Sequence, residues 1–363
     1  AVNAEIRRAA RAAGQQVMRL AEAGIRPEHI LTKEAFENAI MVHSAVGGSL
    51  NAVMHLIAIA REIGIELDAD RFDDIHRRVP VLVDTKTAGR YPTELFWYAG
   101  GVPAVMEEIR DMLHLDALTV TGRTVGENLD QFRRNEMRHF AEMFLANYKL
   151  NRRDVIYPLG RPLKPEGSLA VLRGNLAPEG ATIKKFAVAD DMQVHKGPAR
   201  VFDSEREAVD ALLAKRIRPG DVVVIRYQGP KAVGMPEMFF MSELIASDPV
   251  LSHTTSLVTD GRFSGATRGP CVGYLGPEAL DGGPIALVEN DDVILVDIPR
   301  RRLDIVGIAG QEMPEEDILR VLEERRRHWK PPVFRHKGVL RQYTRLARPA
   351  LQGGSSAHGS PGE

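Results

Sequence analysis

Near Arg153 the spacing of apolar residues along the chain changes period, so the two halves cannot share one architecture. Before it, apolar residues recur three and four apart over helix-length segments. The stretch LTKEAFENAIMVHSAVGGSLNAVMHLIAIAREIGI reads as two helices. Thr32 caps the first, Glu34 sits in its positive first turn, and Gly47-Gly48 breaks it before a second helix from about Leu50 to Ile63. The opening residues Val2, Ile6, Ala10, Val17 and Leu20 fall on one face of a further helix; a helix already under way at residue 1 implies that the natural chain starts further upstream. Short strands are expected at Val79 to Val83 and in DALTVTGRT, and a helix after Gly100-Gly101 with Pro103 in its first turn.

After the change the runs are short, β-branched and punctuated by Gly and Pro, as strands are. They include GSLAVLRGNLAPEGATIKKFAV, PGDVVVIRY, SLVTD, PIALVEN and DVILVDIPRRRLDIV. Two helices interrupt them: DSEREAVDALLAKRI, capped by Ser204 with Ala208, Ala211 and Leu212 facing inward, and PEEDILRVLEERRRHW. The tail LQGGSSAHGSPGE has the composition of a disordered segment. The expected organisation is therefore α/β, with a helical part over residues 1–155, a β-rich part over 156–335 and a partly disordered extension over 336–363.

The charges narrow the function. Lys and Arg number 48 against 49 Asp and Glu, so no basic field favours nucleic acid or an anionic membrane. No apolar run approaches the ~18 residues of a membrane span. The single cysteine, Cys271, excludes an internal disulfide and points to a cytoplasmic protein. A small-molecule partner is the remaining expectation.

Three stretches could meet such a ligand. In TDGRFSGATRGPC, Asp260 and Gly261 suit an ordinary turn leaving a strand. The same stretch could instead bind a small anion: glycines 261, 265 and 269 let amides approach, Arg262 and Arg268 are forked donors, and Ser264 and Thr267 add hydroxyls. GPKAVGMPEM reads either as a surface loop or as the carrier of a Mg²⁺-ligating carboxylate, Glu237. AVGGSLNAVMHL offers Ser49, Asn51 and a helix N-terminus for an anion, with His55 a partly buried helical histidine. Cys271 reads as a small buried hydrophobe, and the runs RRRLDI and EERRRHW as solvated faces.

The stretch from Ser256 to Val306 resembles the C-terminal signature of the dihydroxy-acid dehydratase / phosphogluconate dehydratase family. GGSLNAVMHLIAIAREIG, YAGGVPAVM, LHLDALTVTGRTVGENL and LRGNLAPEGATIKKFAV resemble further family blocks in the same order, so the likeness runs along almost the whole chain. It implies an α/β domain followed by a β-barrel-like domain of the swivelling, aconitase type with flanking helices. It also implies a dimeric or tetrameric hydro-lyase that turns a 2,3-dihydroxy carboxylate into a 2-keto acid, using Mg²⁺ and an iron–sulfur cluster (2Fe-2S or 4Fe-4S). By motif, Ser264 falls on the family's serine base and Glu237 on its Mg²⁺-binding glutamate, with Arg262, Asp260, Thr267, Ser49 and Asn51 as substrate-binding candidates.

The chain departs from the family where metals are concerned. The family's cluster cysteines and remaining metal ligands belong to an N-terminal segment with a Cys-Asp-Lys-type motif that nothing here matches, and a cluster needs several thiolates. The chain by itself is thus expected to be inactive. GPKAVGMPEM is one residue shorter than the family's usual loop, and the tail also differs. Three readings follow: a dihydroxy-acid dehydratase of branched-chain amino-acid synthesis, an aldonic acid dehydratase, or a non-catalytic remnant that binds a small acid or a full-length subunit.

Overall fold

The computed structural model describes residues 4–135 and 143–356. Its first part is helical. The helix Lys33–Val46 is the hub and packs against Ala69–Arg78 and Gly101–Glu108. Its cap is as the sequence indicates: Thr32 Oγ1 accepts the Ala35 amide, and Gly47 ends the helix at φ 71°, a left-handed conformation that suits glycine. The next helix, Asn51–Glu62, follows after four residues.

The second part is built on a nine-stranded sheet of order β1-β2-β6-β5-β4-β3-β7-β8-β9. The strands are β1 (Ala170–Leu172), β2 (Gly180–Ile183), β3 (Val194–Phe202), β4 (Val222–Ile225), β5 (Ser256–Thr259), β6 (Cys271–Gly276), β7 (Val293–Asp297), β8 (Arg302–Ile308) and β9 (Gln311–Glu312). The β3–β4, β4–β5 and β5–β6 pairs are parallel and the others antiparallel. The sheet curls until its two flanks meet. Just beyond β1, the Arg173 amide donates to the Arg301 carbonyl and the Arg173 carbonyl accepts from Leu303, both at 2.9 Å. Curling removes a long open edge and encloses a core.

β4 shows how strand periodicity builds two layers. Val222 and Val224 point into the cluster inside the curl, while Val223 and Ile225 point out under the helices Glu205–Leu213 and Phe239–Ser247. Ser204 caps the first of these helices, and Ala208 and Ala211 are its buried face. Both faces of the parallel strands are thus covered, which is why VVVI carries no polar residue.

Several local expectations give way. PIALVEN is not a strand: Pro284–Leu287 forms a buried 3-10 turn, since Pro284 offers no amide to a ladder. Val79 to Val83 is extended and buried but pairs only through single bridges at Val81 and Val83; its Leu82 amide bonds the end of a helix, at Ala45, instead of a neighbouring strand. DALTVTGRT makes one bridge, Leu118 to Thr124, around its turn. The helix Ala4–Glu22 exists, but Ile6 and Val17 are 55% and 62% exposed, and Val2 lies outside the described residues. Nor is all of the tail loose. Gly338–Leu346 is a helix on Pro230–Val233, Ala350–Gln352 packs on Asn51–Glu62, and the Tyr343 hydroxyl donates to the Gly354 carbonyl at 2.6 Å. Residues 357–363 lie outside the described residues.

The two parts share a core. Val171, Met235, Tyr274 and Ala350 belong to the same buried cluster as the helices. Asp73 on Ala69–Arg78 accepts the Val171 amide at 3.1 Å and Arg301 Nε at 2.9 Å.

Candidate functional site

In an open α/β arrangement, ligands meet the loops that leave the C-terminal ends of parallel strands. β4 and β5 are the central parallel strands, and their exits carry residues 226–238 and 260–270. The exits are tied to each other. Glu237 and Arg262 form a parallel bridge, the Met238 amide donates to the Arg262 carbonyl at 2.9 Å, and Arg262 Nε donates to the Met235 carbonyl at 2.9 Å. This last bond leaves the two Nη atoms of Arg262 without a partner among the described residues, and the residue is half-buried.

The helical part supplies the third wall. Asn51 Nδ2 donates to Glu237 Oε1 at 2.8 Å, and Asn51 Oδ1 accepts the Tyr274 hydroxyl at 3.1 Å. Both ends of the amide are engaged, so its orientation is fixed. Glu237 is exposed, and its Oε2 has no partner among the described residues. Ser49 reaches the same place from two residues earlier in its turn. A Cβ on Gly265 would lie 3.0 Å from Ser49 Oγ, which itself accepts the Asn51 amide at 3.3 Å.

Ser264 is half-buried, one residue before Gly265. Its Oγ accepts the Ala266 amide at 3.2 Å, and its carbonyl accepts the Thr267 amide at 3.1 Å. Thr267 is half-buried, with its hydroxyl 3.5 Å from that of Ser242. The structure therefore groups Ser264, Arg262, Glu237, Asn51 and Ser49, with Thr267 to one side.

Asp260 has another task. It is 1% exposed, and its carboxylate accepts three amides: Tyr227 at 3.1 Å, Gln228 at 2.9 Å and Ala279 at 2.9 Å. It staples the exits of β4 and β6 to that of β5 and offers nothing to a ligand. Arg268 is exposed, and its guanidinium lies 3.9 Å from Glu243. His55 is exposed on its helix, not partly buried.

Cys271 is buried, with Sγ near the Arg268 carbonyl at 3.5 Å, and burial pushes its thiol up to about 12. A cluster needs several thiolates, and Cys271 is the single cysteine of the 363 residues. Among the described residues no group of three or more His, Cys, Asp or Glu side chains could hold a metal ion. Glu237, with one free carboxylate oxygen, fits as a single hard ligand for Mg²⁺.

A second carboxylate lies behind Asp260. Glu278 is 2% exposed; Oε2 accepts the Lys231 amide at 3.1 Å and Oε1 has no partner among the described residues. Burial, reinforced by the Asp260 charge, pushes Glu278 up to about 8, and burial pushes Asp260 up to about 6. An acid raised in the folded state binds more protons there than in the unfolded chain, so stability falls as pH rises from about 4.5 to about 8. Glu278→Gln keeps the acceptor for Lys231 without the charge. It is expected to be more stable than the parent by about 1–3 kcal/mol at pH 8.5 and nearly equal at pH 5, read from urea midpoints. An equal difference at both pH values would count against a buried titrating acid.

His43, His76 and Tyr274 escape the sequence reading. The signal was present for His43: with Phe36 and Ile40 it lies on the inward stripe of its helix, and all three are buried. Tyr274 lies in the apolar strand CVGYLG, where nothing marks its hydroxyl as facing Asn51.

Two family models match the chain. The one described as dihydroxy-acid/6-phosphogluconate dehydratase N-terminal covers residues 1–128, and its C-terminal counterpart covers residues 154–354. Among curated proteins named dihydroxy-acid dehydratase, that of Acetivibrio thermocellus is 45% identical over 97% of this chain and 60% of its own length. That of Methanosarcina barkeri is 43% identical over 98% of this chain and 60% of its own length. That of Methanothrix thermoacetophila is 45% identical over 98% and 61%. The chain thus spans about 60% of the length of the curated relatives it matches.

Proposed function

The chain belongs to the dihydroxy-acid/6-phosphogluconate dehydratase family, and from that premise we propose that its site serves the dehydration of a 2,3-dihydroxy carboxylate to a 2-keto acid. The observation that carries this reading is the grouping of a half-buried serine hydroxyl, an exposed carboxylate held by Asn51, and an arginine with free Nη atoms. Within that class, the relatives named dihydroxy-acid dehydratase favour a dihydroxy acid of branched-chain amino-acid synthesis over the aldonic acids.

Arg262 takes the substrate carboxylate through its Nη atoms, a charge-assisted pairing suited to a planar fork. Ser49 and Asn51 hold the hydroxyl side of the substrate. Ser264 Oγ removes the C2 proton. The C2–H electron pair becomes the C2=C3 bond, the C3 hydroxyl leaves, and the proton taken from C2 goes with it to make water. The enol then ketonises. A serine hydroxyl is a weak base, and the Ala266 amide aimed at Oγ favours its alkoxide. Mg²⁺ at Glu237, when bound, would add positive charge that lowers the hydroxyl pKa and steadies the enolate oxygen. The residues present do not fit an iron–sulfur cluster, so no step here runs through one. Catalysis therefore belongs to a protein that also carries the missing ligands, and the 363-residue chain alone is expected to be inactive. A homodimer or homotetramer in the cytoplasm goes with this reading.

The test is a substrate panel on the catalytically complete protein: 2,3-dihydroxyisovalerate against C5 and C6 aldonates, with Mg²⁺ titrated. Turnover of the dihydroxy acid is expected, and Glu237→Gln should raise the Mg²⁺ needed for half-maximal rate about tenfold or more. Exclusive use of aldonates would replace the substrate assignment. Unchanged Mg²⁺ dependence would remove Glu237 from the metal site.

A further inference from the structure

The turn from Gly47 to Asn51 carries two residues of the site, and one bond on it comes from an unusual source. The Ser49 carbonyl lies 2.8 Å from His43 Nε2. His43 Nδ1 lies 3.1 Å from His76 Nε2, and His76 Nδ1 accepts the Leu169 amide at 3.1 Å. Both rings are buried.

Elementary hydrogen-bond rules fix the protons along this chain. A backbone amide only donates, so His76 Nδ1 is bare and its ring proton is on Nε2. That proton is given to His43 Nδ1, so His43 in turn carries its proton on Nε2 and gives it to the Ser49 carbonyl. All three bonds point the same way, from the start of the barrel towards the site. An added proton on His43 Nδ1 would face the Nε2–H of His76, so the chain works only with neutral rings. Burial holds both below the usual histidine range, His43 at about 4.

The packing leaves little slack at either end. A Cβ on Gly48 would lie 2.1 Å from His43 Cδ2, and one on Gly167 would lie 2.7 Å from His76 Nδ1. The helix bearing His43 is also tied to the segment after His76, where Ser44 Oγ donates to the Val79 carbonyl at 2.6 Å. At the far end, Ser49 touches the Gly265 position and Asn51 holds Glu237.

We propose that His76 and His43 are positioning residues: a hydrogen-bond chain of fixed polarity from Leu169 to the Ser49 carbonyl that sets Ser49 and Asn51 against Gly265 and Glu237. The consequence for turnover rests on the dehydratase reading; the chain itself does not.

The experiment therefore has two independent arms. In the 363-residue chain labelled with ¹⁵N-histidine, two rings are expected to show the neutral Nε2–H tautomer from pH 5.5 to 8 without titrating. Either ring titrating near the usual value, or carrying its proton on Nδ1, overturns the chain. His43→Leu should move the Asn51 side-chain amide and Gly265 amide signals, and His43→Gln, whose amide N–H can stand in for Nε2–H, should return them most of the way. In the catalytically complete protein His43→Leu should lower kcat about 10- to 100-fold with KM within threefold, since a displacement near 1 Å can cost that much. His43→Gln should recover most of that loss. Equal loss in both variants would mean that the ring only fills space, and unmoved amide signals in His43→Leu would also overturn the proposal. Amide signals that respond as expected in a protein inactive on every dihydroxy acid would leave the positioning chain standing and remove the dehydratase reading.

Discussion

Ser264→Ala is expected to lower kcat of the catalytically complete enzyme by about 10³-fold, within the range that positioned general bases contribute. The change removes one oxygen from a half-buried position whose one side-chain bond among the described residues is to the Ala266 amide at 3.2 Å. The loop keeps its backbone ties, including the Thr267 amide on the Ser264 carbonyl and the bridge between Glu237 and Arg262. Folding should thus be little affected: the part-buried Ala266 amide loses its acceptor, and stability should stay within about 1 kcal/mol of the parent. Metal content should not change. Incubation of the parent in deuterated water should exchange the C2 proton of a substrate analogue that cannot lose its C3 group, and Ser264→Ala should abolish that exchange. Retained turnover, or exchange at the parent rate, would show that another group takes the proton.

Asp260→Ala should act in the opposite way, on stability before chemistry. Removing the carboxylate leaves the amides of Tyr227, Gln228 and Ala279 buried without an acceptor. At about 1–3 kcal/mol for each orphaned buried donor, partly relieved by relaxation, the cost should be about 3–5 kcal/mol. Asp260→Asn keeps one acceptor oxygen but turns an NH₂ towards amides that can only donate, so it should fall between the two. Urea unfolding measures both variants. If Asp260→Ala loses less than about 1 kcal/mol and its effect appears as a raised KM, Asp260 is a substrate ligand after all and the staple is wrong.

These two neighbours show where a sequence stops informing. Asp260 and Ser264 belong to the same Gly-rich stretch, and from the residues alone both suit a loop that meets a small acid. Their opposite fates depend on which amides lack partners nearby. Those amides come from the exits of β4 and β6, positioned only once the parallel strands have paired.

Short-range rules were enough for much of the chain. Thr32 and Ser204 cap helices because a hydroxyl can reach an amide three residues on, whatever else the protein does. VVVI announces a strand covered on both faces because its period and lack of polar atoms leave no wet side. The long series of family-like blocks likewise marks the family along the chain, and the family models cover residues 1–128 and 154–354. Other features answer to distant residues. Whether PIALVEN pairs depends on a free strand edge at the right place, and with Pro284 in it the segment turns instead. The meeting of Arg173 with Leu303 depends on the accumulated curl of every strand between them. The alignment of His76, His43 and the Ser49 carbonyl needs two helices and the start of β1 to converge to hydrogen-bond distance. Periodicity and caps act over a few residues and are written in order along the chain. The partner that a buried polar atom finds is set by packing between segments far apart in sequence, and the tertiary structure alone decides it.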